Sequence, residues 1–140
     1  MGMEGLGRVF NVIPVAAGVG VSLKKAMGVT FVCTGNDTFT LQSMTAYNSG
    51  NVALPAITNY YTSTSTAGSA AWTDHTQAPA STVVIASGAA SFYVDCGDLP
   101  AGADWVEVTV AASGLVMAIV HDLYYGEDPK NLPLLAGSTS

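Results

Sequence analysis

Few side chains in this sequence are equipped for chemistry, and their spacing decides what they can do. His75 and His121 lie far apart, and neither falls in a metal-binding spacing such as HExxH. Asp74 precedes one and Asp122 follows the other, in segments that read as strands. Neighbours on a strand point to opposite faces, so neither pair can work as an oriented acid and base. Cys33 and Cys96 each close an apolar, strand-like run with no base beside them. They read as buried free thiols, able to pair only if their strands are neighbours. There is no GxSxG elbow and no P-loop, and Gly18-Val19-Gly20 lacks both the third glycine and the following helix of a dinucleotide fingerprint. Asp95, Asp98 and Asp104 cluster around one loop, the type of group that serves a glycosidase or a calcium ion. Their spacing matches no EF-hand, and they read as solvated loop acids. We therefore expect a protein that is not an enzyme, with no cofactor, no metal site and no catalytic residue. Tyr60, Tyr61, Trp72, Tyr93 and Trp105 are open to two readings, a sugar-stacking platform or the filling of a core or an interface.

The elements that must carry these residues are strands. Period-two alternation runs through Val29, Phe31 and Cys33, through Phe39 and Leu41, and through Ile57 to Thr62. It returns in Trp72 to Gln77, Ser81 to Ala86, Ser91 to Cys96, Asp104 to Ala111 and Leu115 to Leu123. Gly35-Asn36-Asp37 is turn chemistry, so the first two runs are expected to form a hairpin. In Asp104–Ala111, Val106, Val108 and Val110 face inward, leaving Trp105, Glu107 and Thr109 facing out or toward a partner. Leu115–Leu123 is apolar on both faces and should lie centrally. Adjacent tyrosines at 60 and 61 must face opposite ways, one buried and one presented. Ala-Ser-Gly occurs at 86–88 and again at 112–114, each time between strands. Val21 to Met27 offers at most one helical turn. About eight to nine short strands at regular spacing make an all-β, antiparallel β-sandwich or small barrel. The expected organisation is an extended N-terminal arm over 1–20, the sandwich domain over 21–125 and an irregular C-terminal tail over 126–140, where Pro129 and Pro133 exclude regular structure.

Composition narrows the partners. The 140 residues are 49% hydrophobic but only 10% charged, against roughly 25% in a typical soluble domain. That excludes a disordered chain and a coiled coil. The net charge is −6, and the four basic residues are Arg8, Lys24, Lys25 and Lys130. Between Ala26 and Pro129 there is no Lys or Arg, so nucleic acid is not an expected partner. The apolar run from Val9 to Val21 is broken by Asn11, Pro14 and glycines, too short and interrupted for a membrane span or an export signal. Apolar residues on these Pro-interrupted end segments point to burial, against the domain itself or against a partner. The contact candidates are Arg8, Phe10, Val12, Ile13 and Val15 on the arm, with Lys130, Leu132, Leu134 and Leu135 on the tail.

The order of features is also distinctive. VSLKKAMGVTFVCTGNDTFTL is followed by a strand ending in a double tyrosine, then GSAAWT, VVIASGAASFYVD, LPAGADWVEVTVAASGLVMAIVHDL and NLP. This order, over about residues 9 to 133, resembles small proteins encoded among the head genes of tailed bacteriophages, especially those of actinobacteria, associated with head decoration or a minor capsid role. The resemblance implies a virion structural protein assembled in the host cytoplasm. It would sit on the outer surface of the phage head, bind the major capsid protein and stabilise the shell, with self-association as a dimer or trimer. It carries over no site residues. The alternative is a minor tail or head-fibre module that binds host glycans through its aromatics.

Overall fold

In the computed structural model, residues 10–123 are described, apart from 15, 25, 48 and 87. The alternating runs become two antiparallel sheets packed as a sandwich. Numbered in chain order, the first sheet runs β1 (Phe10–Ile13), β11 (Leu115–Leu123), β3 (Ala26–Thr34), β9 (Ala89–Asp95), β6 (Ile57–Ser63) and β7 (Thr73–Ala80). The second runs β2 (Val21–Ser22), β10 (Trp105–Val110), β4 (Asp37–Met44) and β5 (Val52–Ala53), with β8 (Thr82–Ile85) also paired to β4. Each sheet turns one apolar row inward, because successive side chains alternate across a strand. Val29, Phe31 and Cys33 of β3 lie beside Phe92 and Val94 of β9, and pack with Phe39 and Leu41 of β4 and Val106 and Val108 of β10. Phe31 and Phe92 meet with ring centroids 5.6 Å apart. β11 lies between β1 and β3, inside its sheet as its two apolar faces require.

The expected hairpin over Gly35-Asn36-Asp37 is not formed. β3 and β4 belong to different sheets, and the link between them arches across the core. The alternation of Val29, Phe31, Phe39 and Leu41 is buried equally well by a hairpin or an arch. The carboxylate of Asp37 distinguishes the two. It accepts backbone N–H groups of Thr38 at 2.7 Å, Ala111 at 3.0 Å, Ala112 at 3.0 Å and Gly114 at 2.7 Å. This ties the β3–β4 arch to the β10–β11 arch. The β8–β9 arch joins them, through a bond from the Gly35 N–H to the Gly88 carbonyl at 3.2 Å. Both Ala-Ser-Gly tripeptides thus lie in links where the chain changes sheet.

Three other boundaries move. No helical turn forms over Val21–Met27, where β2 ends and β3 begins, while Cys96–Asp98 makes a short 3₁₀ turn in the place expected for loop. The expected arm, 1–20, is part of the sandwich over its described residues. Phe10–Ile13 pairs with Ala118–His121, the Ala16 N–H bonds the Val116 carbonyl at 2.8 Å, and Ala16 is fully buried. Ile13 and Ala16 are buried in the chain's own core. The expected tail, 126–140, lies outside the described residues.

Candidate functional site

The groups singled out for chemistry are dispersed over the fold. His121 sits on the outer face of the six-stranded sheet, 2.9 Å from the Thr30 hydroxyl and with its ring 4.9 Å from that of Tyr93. His75 lies on the opposite face near the sheet edge, 2.6 Å from the Thr62 hydroxyl and stacked on Tyr60 at 5.1 Å. Both cysteines are free. Their strands are neighbours, yet Cys33 pairs with Ala90 while Cys96 follows the far end of β9. Burial pushes the Cys33 thiol up to about 12. Asp98 bonds the Asp95 backbone N–H at 3.1 Å, which uses it to shape the turn. Among the described residues no group of three or more His, Cys, Asp or Glu could hold a metal ion. A shallow opening of about 430 Å³ between β5 and the 3₁₀ turn presents one ionisable side chain, Asp98.

Asp37 is the ionisable residue with the most structural consequence, and its role was not visible in the sequence. Burial works to raise its pKa, but the N–H donors of Gly114, Ala112, Thr38 and Ala111 outweigh this and hold the carboxyl below its ordinary value. A carboxylate receiving several backbone donors is stabilised in its charged form.

The two outer faces of the sandwich differ. On the outward face of the five-stranded sheet, Tyr47 and Asn51 cover the end that carries Trp105 and Glu107, while Val84 on β8 is 71% exposed. Trp105 is buried against Tyr47 with rings 5.9 Å apart, Met44 is fully buried, and buried Glu107 accepts a bond from the Asn51 amide at 2.9 Å. Trp105 and Glu107 thus face out, as expected, but their partner is this chain. The outer face of the six-stranded sheet is laid out in cross-strand rows. Ile119, Thr30 and Tyr93 form one cross-strand row, and Met117, Val32, Ser91 and Tyr61 the next. Leu115 is 65% exposed, Tyr61 and Tyr93 43% each and Met117 37%. Among the described residues this face carries no Lys, Arg or Glu, and its acids, Asp74 and Asp95, stand at its margins.

The proposed contact residues divide. On β1, Phe10 pairs with His121 and half-buried Val12 with Ile119, while Ile13 is only 2% exposed and belongs to the core. Arg8, Val15, Lys130, Leu132, Leu134 and Leu135 lie outside the described residues. The ends of the described chain fall together: β1 starts opposite His121, two residues before β11 ends at Leu123. Phe10 and Leu123 therefore lie at one end of the sheet, opposite the three arches.

No family model and no curated protein matches the chain. One solved structure is similar, the crystal structure of the SPBc2 prophage-derived protein YomS, with 14% identity and a TM-score of 0.42 over 79% of this chain and 91% of that one. No role is carried over at that level of likeness.

The aromatics do not make the tryptophan platform that the sequence left open. Trp72 is 50% exposed beside the β6–β7 hairpin, whereas Trp105 is buried on the other sheet. Tyr60 is half-buried and Tyr61 presented, the opposed arrangement that adjacency on a strand requires.

Proposed function

We propose that this chain is a non-enzymatic structural protein of a bacteriophage particle, which binds the outer surface of the head shell and reinforces it. The observation that carries this reading is that the two ends of the described chain, Phe10 and Leu123, lie at one end of the sandwich. A protein that clamps a shell must reach across seams between subunits of the major capsid protein, and apolar sequence at both chain ends suits that task. Each buried Leu contributes roughly 1.5–3 kcal/mol, and Leu132, Leu134 and Leu135 together provide a useful anchor. Arg8 and Lys130 place positive charge in those same segments, apart from a body whose 26–129 stretch has none. The opposite end is braced by Asp37, which gives the rigid lever that reinforcement needs. The order of sequence features shared with phage head decoration proteins supports the same role. Two free thiols fit assembly in the reducing host cytoplasm.

The second reading, a tail or head-fibre module for host glycans, retains one support. Tyr61 and Tyr93 are exposed on neighbouring strands of one flat face. The two readings separate on purified heads. The full chain added to expanded heads lacking it should sediment with them and raise the temperature at which they disrupt. Binding to tails alone, or to neither, overturns the decoration role.

A further inference from the structure

We propose that the β6–β7 hairpin carries a binding site for a neutral saccharide, built on Tyr61, Trp72 and Asp74. Two aromatic side chains are presented to solvent there, Trp72 at 50% exposure and Tyr61 at 43%. Tyr61 pairs directly with exposed Asp74 across the hairpin, and Trp72 stands two residues before Asp74, at the entrance to β7. Alternation carries Trp72, Asp74 and Tyr61 to one face. Diagonal cross-strand neighbours lie about 7–8 Å apart, within joint reach of aromatic side chains. That arrangement suits a sugar ring, whose apolar C–H face rests on an aromatic while adjacent hydroxyls donate to the Asp74 carboxylate.

The link between the two strands is fixed in advance by its own hydroxyls. Buried Ser63 accepts the Ser65 N–H at 3.2 Å and shares its proton between the carbonyls of Ser65 at 3.1 Å and Ala70 at 3.3 Å. The Ser65 hydroxyl accepts the N–H groups of Ala67 at 3.0 Å and Ser69 at 3.3 Å, and the Ser69 hydroxyl at 2.7 Å. A loop already ordered spares a ligand the entropy of ordering it.

The surroundings select the class of ligand. The anchor residues of a protein contact are ringed by groups that exclude water. Here the exposed neighbours are Thr64, Thr66 and Thr73, whose hydroxyls stay hydrated and match those of a sugar. The charge in the site is that of Asp74, and no Lys or Arg occurs between Ala26 and Pro129, so a phosphate, sulfate or carboxylate ligand is repelled. Ser63 pairs with Ala89 beside the β8–β9 arch, which puts the hairpin link at the Asp37 end, away from Phe10 and Leu123. The site therefore goes beyond the shell-binding role, and both can operate at once.

The test uses the isolated full chain, with no particle present, so its failure leaves shell binding untouched. The probes are neutral oligosaccharides of glucose, mannose, galactose and arabinose, with a sulfated glucose oligomer as the acidic comparison. Saturation-transfer NMR on the sugar protons reads binding, and at least one neutral probe should bind with Kd of about 1 mM or tighter. In the wild type its addition should also change the emission of exposed Trp72, against a constant contribution from buried Trp105. W72A and Y61A should each weaken binding at least about tenfold with the melting transition retained, and W72F should keep part of it. L115Q, at a position 65% exposed on β11, should bind as the wild type does. The proposal is overturned if no neutral probe binds at about 10 mM, if the sulfated oligomer binds better, or if binding persists in both W72A and Y61A. It is equally overturned if no saccharide binds while W72A loses sedimentation with heads, because the patch is then a protein contact.

Discussion

Three glycine-to-alanine substitutions separate the two kinds of constraint at work in the arches. Gly102 has φ of 86° and open space where a Cβ would go, so Gly102→Ala meets backbone strain only. Left-handed backbone costs an L-residue roughly 1–2 kcal/mol, offset by about 0.4–1 kcal/mol of reduced unfolded-state entropy, leaving a loss of about 1 kcal/mol. Gly114 needs no left-handed backbone, but a Cβ there would come 2.7 Å from Phe39 Cζ and 2.8 Å from Asp37 Oδ2. Phe39 is fully buried and Asp37 is tied to the same arch, so Gly114→Ala is an overpacking change of roughly 1–3 kcal/mol. Gly88 combines both, with φ of 94° and a Cβ position occupied by the Ser63 carbonyl oxygen, which belongs to β6 and cannot swing aside. Gly88→Ala should therefore cost about 3 kcal/mol or more, a large part of the ~5–15 kcal/mol that holds a typical domain together. Urea unfolding monitored by circular dichroism measures all three, with an unchanged slope marking a pure stability effect. The order should be Gly88, then Gly114, then Gly102. If Gly88→Ala falls within about 0.5 kcal/mol of Gly102→Ala, the β8–β9 arch does not pass against Ser63 and the reasoning fails.

Asp37 makes stability depend on acid. Its folded pKa is held below the ordinary ~3.9, so its contribution is full above that value and disappears as pH falls through the folded pKa. Asp37→Asn should lower the urea midpoint at pH 7 and flatten the loss of stability below about pH 4; equal acid sensitivity in both proteins counts against the carboxylate brace. With the Cys33 thiol near 12, roughly one molecule in ten thousand is thiolate at pH 8. Native protein should take one alkyl group, on half-buried Cys96, and a second only in denaturant, as read by mass spectrometry. Trp105→Ala should cost about 3–5 kcal/mol because its packing on Tyr47 seals the second sheet. Trp72→Ala, at a half-exposed position, should change stability by under ~1 kcal/mol in the same unfolding assay.

The strands were legible because their signal is local. Val106, Val108 and Val110 alternate with Trp105, Glu107 and Thr109, and that alone dictates β10 and its inward face. What the sequence conceals is which sheet each strand joins. Gly35-Asn36-Asp37 has the composition of a hairpin turn, and only the long-range bonds from Ala111, Ala112 and Gly114 to Asp37 turn it into an arch. The same limit applies at Phe10–Ile13. An apolar run broken by Pro14 reads as an arm, and the partner that makes it an edge strand lies more than a hundred residues away on β11. The doubly apolar β11 announces two apolar sides, but the packing of Tyr47 on Trp105 and of Asn51 on Glu107 has no signature in periodicity. Apolar character on irregular chain cannot separate Ile13, which fills the core, from half-buried Val12 beside it.

A reconstruction of the intact phage particle that carries this chain tests the central claim most directly. The account predicts density for a two-sheet domain on the outside of the head shell, with the end bearing Phe10 and Leu123 against the major capsid protein and the Asp37 end pointing away. Density for the domain in the tail, or an intact head with none on its outer surface, would contradict it.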